Sequence, residues 1–154
     1  TASYKYFVPE IESYKRKVWF VQGKVFVMQD KATHSEEKDM TWLMHTTFAN
    51  EVADKSFTIR GEVAHLDVNF INESADNITS VKNVEGFGEV DPYEFKDLEI
   101  HRHVEVEFKA SKEHNILTLL VPNKNEGEQV EVSHKLEGNM LVLNVDGETV
   151  SIEL

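Results

Sequence analysis

Residues 140–154 read Met140-Leu141-Val142-Leu143-Asn144-Val145-Asp146-Gly147-Glu148-Thr149-Val150-Ser151-Ile152-Glu153-Leu154. After Asp146-Gly147, the apolar Val150, Ile152 and Leu154 alternate with Thr149, Ser151 and Glu153. A period of two puts one set of side chains on each face of a strand. Asp-Gly between two such runs predicts a two-residue hairpin, because both central residues of a type I′ turn need positive φ. Moving upstream, Glu137-Gly138-Asn139 predicts another turn, with Val130 and Val132 before it. The C-terminal part of the chain therefore reads as a meander.

The same pattern extends toward the N-terminus. Residues 116–121 form a core strand, and before them Ile100, Val104, Val106 and Phe108 alternate with His103, Glu105 and Glu107, so that one face is buried and one wet. Val18-Trp19-Phe20-Val21, Gln22-Gly23 and Val25-Phe26-Val27-Met28 predict a hairpin. Its apolar runs are continuous enough to imply cover on both faces and a central place in a sheet. Residues 41–48 give a third strand. Apolar parity then shifts from Phe57, Ile59 and Val63 to Leu66, Val68 and Phe70, which predicts a bulge or turn near His65. Residues 77–81 suit a short strand, and Gly86, Gly88 and Pro92 make residues 82–96 a long loop. No helical period is present. The expectation is an all-β fold, an antiparallel β-sandwich of about ten to twelve short strands. Residues 1–13 read as a lead-in from an upstream domain and residues 14–154 as a single β-sandwich domain.

Composition agrees. The chain has 154 residues, 40% of them hydrophobic, enough for one domain with a real core. Its 16 Lys and Arg against 28 Asp and Glu leave a net charge of −12. Nucleic acid is therefore not an expected partner, because that binding relies on Lys and Arg releasing phosphate counterions. No apolar run reaches the roughly 18 residues of a membrane helix, so no membrane partner is expected either. The absence of cysteine removes thiolate catalysis and cysteine-ligated zinc.

Four groups of residues could carry chemistry. His101-Arg102-His103 with Glu107 offers two imidazoles and a carboxylate on one strand face, the ligand types that zinc, iron or manganese accept, in the spacing of a cupin's first metal motif. The glycines of that motif and a fourth ligand are missing. The plainer reading is the solvent face of a half-buried strand, with no metal and no cofactor. His45 and His65 sit among apolar residues without a neighbouring motif that would orient either as a base. Trp19 and Trp42 lie within apolar runs and read as core. Phe87 and Tyr93, in the acidic loop, are better placed to stack on sugar rings. The chain has no G-x-S-x-G, no H-E-x-x-H and no phosphate-binding glycine loop.

The order of segments carries a resemblance. Lys15-Arg16-Lys17-Val18-Trp19-Phe20-Val21, then Val25-Phe26-Val27-Met28-Gln29-Asp30-Lys31, then Thr41-Trp42-Leu43-Met44-His45-Thr46 resembles the succession K-R-x-hydrophobic-x-F, V-x-D-K/R, W-L-L-H of the heparinase II/III-like polysaccharide lyases. Leu66-Asp67-Val68-Asn69 and Asn77-Ile78-Thr79-Ser80 continue it. In that family an α/α toroid supplies a catalytic tyrosine with a histidine or asparagine, and a β domain follows. The family's H-x-H-x-D-x-G stretch and Ala-His-Asn triplet would fall before Tyr14. His101-Arg102-His103 does not match the former, and Glu113-His114-Asn115 is out of order for the latter.

The resemblance therefore implies a non-catalytic C-terminal β-sandwich that supports or walls a toroid. Its partner would be the upstream catalytic domain of the same polypeptide, and through that parent enzyme an acidic polysaccharide. The family's setting implies a periplasmic or secreted location. A net charge of −12 repels a polyanion over a Debye length of about 8 Å, so this domain is not expected to form the main groove, although a local cluster of Lys and Arg is compatible with that charge. The alternatives are a free-standing carbohydrate-binding module using Phe87 and Tyr93, and a cupin-like metal enzyme using His101, His103 and Glu107.

Overall fold

The computed structural model describes residues 10–85 and 102–154. Phe87, Tyr93 and His101 lie outside them. Among the described residues ten antiparallel strands and one short helix follow in order: β1 (Ile11–Val21), β2 (Val25–Thr46), β3 (Ala49–Ala53), β4 (Ser56–Arg60), β5 (Ala64–Phe70), α1 (Glu73–Asp76), β6 (Ile78–Glu85), β7 (Arg102–Lys124), β8 (Val132–Glu137), β9 (Met140–Val145) and β10 (Glu148–Glu153). The all-β sandwich is as the alternation implies. One sheet has the order β1-β2-β7-β5-β4-β3, with β6 also pairing β7, and the other has the order β10-β9-β8.

Two strands are not short. β2 has 22 residues and β7 has 23, and they pair with each other along most of their length. The strands expected at residues 25–28 and 41–48 are one, and no Gly or Pro between them ends it. Instead the register shifts between Thr33 and Lys38 and again before Met40, and β2 bends.

The bend builds two cores. Val25 and Val27 of β2 and Leu117, Leu119 and Val121 of β7 meet Leu141, Leu143 and Val145 of the small sheet. On the opposite face Met28 and Ile116 join a second cluster with Trp42, Phe57, Val68, Phe70, Val106 and Phe108. Strands β6, β7, β5, β4 and β3 wrap around this cluster, and Asn50 of β3 donates to Asn83 of β6 at 2.9 Å where the wrap meets itself. Each fully buried Leu or Val contributes roughly 1.5–3 kcal/mol, so both cores are substantial.

The first hairpin corrects an expectation. β1 is an edge strand, not a central one. Val18 is 58% exposed and Phe20 60%, and Phe20 stacks on Phe26 with ring centroids 4.5 Å apart. A continuous apolar run was read as two covered faces; the face bearing Val21, Val25 and Val27 is covered, whereas on the other Met28 is buried but Val18, Phe20 and Phe26 are exposed. The Asp146-Gly147 turn forms as expected, with φ of 50° and 86°. The chain also turns at residues 61–63 between β4 and β5, where the parity shift required it.

Candidate functional site

Pairing across the first hairpin runs outward from Val21 and Val25, so Arg16 falls opposite Asp30. The bend in β2 then swings Trp42 back over the same face. Asp30 is fully buried. Its Oδ1 accepts the Tyr14 hydroxyl and Arg16 Nε, both at 2.6 Å, and its Oδ2 accepts Arg16 Nη2 at 2.9 Å and Trp42 Nε1 at 3.1 Å. A buried carboxylate is tolerable when it is paired and its lone pairs are filled, and both conditions hold here. Arg16, Asp30 and Trp42 come one each from the three segments on which the family resemblance rests.

A cleft of about 630 Å³ opens beside this cluster in the bend, lined among others by Tyr14, Arg16, His34, Lys38, Met40 and Leu43. Burial, then the hydrogen bond to Asp30, pushes the Tyr14 phenol up to about 12. Tyr14 thus stays protonated at neutral pH and cannot serve as a base. The Asp30 carboxylate raises Arg16 further above its ordinary value. Burial, with His114 and Lys38 nearby, lowers His34, whose two ring nitrogens are shielded and without hydrogen-bond partners among the described residues. The cleft therefore holds a charge pair turned inward and a neutral imidazole.

The residues singled out from sequence lie elsewhere. His103 and Glu107 share one face of β7, but Glu107 accepts from Ser80 Oγ at 2.6 Å and from Lys82 Nζ at 2.7 Å, which holds it below the usual carboxylate range. His103 Nε2 meets Glu105 at 3.0 Å, and its ring lies 5.2 Å from that of His45 across the β2–β7 pair. Among the described residues no three His, Cys, Asp or Glu side chains are grouped to hold a metal. His65 bonds Asn125 at 3.1 Å, at the end of β5. Trp42 is core, 3% exposed. The Tyr14–Arg16–Asp30–Trp42 cluster was missed, although opposite charges equidistant from a hairpin turn were a readable signal.

No family model and no curated protein matches the chain. Solved structures do. The heparan sulfate lyase HepC from Pedobacter heparinus superposes with a TM-score of 0.69 at 17% identity, over 96% of this chain and 24% of that one. Heparinase III gives 0.62 at 15% identity over 94% and 23%, and a second heparinase III 0.61 at 15% over 96% and 24%. The fold is that of one part of these lyases. This chain spans about a quarter of their length. These lyases are of the kind that the segment resemblance named, and the likeness is one of fold.

Proposed function

We propose that this chain is the non-catalytic C-terminal β-sandwich of a heparinase II/III-like polysaccharide lyase, supporting or walling a catalytic toroid that lies upstream in a periplasmic or secreted polypeptide. The observation that carries the reading is the fold match over 96% of the chain to only 24% of a lyase. The Asp30 cluster supports it. The residues that the resemblance brings together staple β1 to the bend of β2 and leave no reactive group free. The exposed strip of Val18, Phe20 and Phe26 suits contact with the remaining three quarters of such a polypeptide.

The test is ultraviolet absorbance of unsaturated uronate on heparan sulfate, chondroitin and alginate. The 154-residue chain is expected to release none. Steady product formation by this chain overturns the reading.

A further inference from the structure

The bend is the least supported stretch of the long β2–β7 pair. β2 meets β7 at Thr33 and again at Lys38, and none of residues 34–37 pairs with β7. On the other side Ile11 of β1 lies opposite His34, and Ser35 N donates to the Glu10 carbonyl at 2.9 Å. Side chains fill the gap toward β7. His114 of β7 is 7% exposed, and its Nε2 lies 3.0 Å from the Lys38 carbonyl. A carbonyl oxygen only accepts, so this nitrogen carries the proton and donates. The His34 ring stands edge-on to the His114 ring, with centroids 5.3 Å apart and planes at 84°. His34 therefore backs the imidazole that holds Lys38. Four residues beyond Lys38 the chain delivers the Trp42 indole to Asp30.

This support works only while His34 is neutral. Both of its ring nitrogens are shielded and without hydrogen-bond partners among the described residues. A neutral ring leaves one donor and one acceptor unmet, whereas an imidazolium would leave two donors and a full charge unmet, which is far more costly. The charged neighbours do not offset that cost. Burial, then His114 of β7 and Lys38 of β2, disfavour the charged ring. Arg16 of β1 lines the same cleft but is engaged by Asp30, and Tyr14 of β1 stays protonated at neutral pH. Glu10, just ahead of β1, and Asp39 of β2 also line the cleft, and neither bonds His34 where it stands. Acceptors for a charged ring thus lie out in the cleft and not in the ring's present place.

We propose that His34 and His114 form an acid-operated latch on the bend of β2: when His34 takes up a proton its ring moves out into the cleft, the Lys38 segment loosens from β7, and Trp42 leaves Asp30 while both cores stay folded. A ring released to solvent titrates near 6.5, so the opened fraction rises as pH falls below roughly 6.5, by up to about tenfold per pH unit. Local opening of this kind needs less free energy than global unfolding, because only the few contacts of the bend are given up.

The chain has two tryptophans, so a ¹H–¹⁵N spectrum holds two indole signals, Trp42 on the bend and Trp19 against the first core as the control. From about pH 7.5 to about pH 5, exchange of the Trp42 Nε1–H relative to that of Trp19 is expected to rise, by up to about tenfold per pH unit, while the backbone spectrum stays folded. His34→Phe keeps a ring against His114 that takes no proton, and it is expected to remove the rise. His34→Gln fills the place differently and takes no proton either, so its exchange is expected to be independent of pH even where the bend is looser throughout. A purely structural role for His34 would change the level of exchange in these variants and leave its pH dependence. A rise that survives both substitutions overturns the latch. So does a Trp42 signal that holds steady down to about pH 5, or one that moves together with Trp19 as the whole chain unfolds.

Discussion

Gln29 and Asp30 are neighbours in β2 and both are buried, but they face opposite sides of the sheet and meet opposite fates. Asp30 receives four hydrogen bonds from three side chains. Among the described residues Gln29 makes one and leaves its oxygen without a partner. On Asp30's side the bend of β2 folds Trp42 back to complete the shell, whereas on Gln29's side the small sheet ends and leaves a gap. A satisfied buried polar group specifies the fold. An unsatisfied one costs stability and specifies nothing.

The sharpest way to break this contrast is Asp30→Ala. It takes the buried carboxylate away from the Tyr14 hydroxyl, the Trp42 indole and the Arg16 guanidinium, and it should cost about 3–5 kcal/mol in urea unfolding, the range for breaking a buried charge pair. Arg16→Met comes next. It leaves Asp30 with two neutral donors, and because the Arg16 side chain is 43% exposed, the loss should fall nearer 1.5–3 kcal/mol, the value of a hydrogen bond to a charged group. If Asp30→Ala costs no more than a surface substitution, the cluster is not a staple.

The cluster also leaves a pH signature. Tyr14 is raised to about 12 in the fold against roughly 10 in an unfolded chain, so the folded state favours the protonated phenol. Its contribution is complete below pH 10 and is lost as pH rises toward 12. Ultraviolet titration of the chain's four tyrosines should show one ionising late, and Tyr14→Phe should remove that phase. His34 acts at the other end. Its lowered value means that the fold favours the neutral ring, so stability should fall as pH drops below roughly 6.5, and His34→Phe should flatten that slope. A slope unchanged by His34→Phe would assign acid sensitivity to other groups.

How much of this was legible in the sequence follows from what each feature depends on. The β8–β10 meander was readable because its turns and alternation are local, down to positive φ at Asp146 and Gly147. The length of β2 and β7 was not, because β2 runs on through residues 34–37 across a register shift, where neither apolar period nor pairing with β7 marks a strand. The edge position of β1 was hidden for a related reason: Phe20 and Phe26 cover each other by stacking, so a run that looks buried on both faces is exposed on one. The Asp30 cluster was half legible. Arg16 opposite Asp30 follows from counting back from the turn, but Trp42 arrives only through the bend. The gap lined by Gln29, Asn72 and Asn139 was not legible at all, since these residues are distant in sequence and meet only when the two sheets stack.

The smallest expected effect is the most discriminating. Gln29→Met replaces a buried amide by an apolar chain of similar length, removing one hydrogen bond to Asn115 together with one unsatisfied oxygen. A neutral hydrogen bond is worth about 1 ± 0.5 kcal/mol net, and a bare buried acceptor costs a comparable amount, so the two changes nearly cancel. Urea unfolding of Gln29→Met should therefore lie within about 1 kcal/mol of the parent, several-fold less than Asp30→Ala at the adjacent position. A loss of several kcal/mol would mean that Gln29 is already satisfied within the fold, and the two faces of β2 would then differ only in which residues fill them.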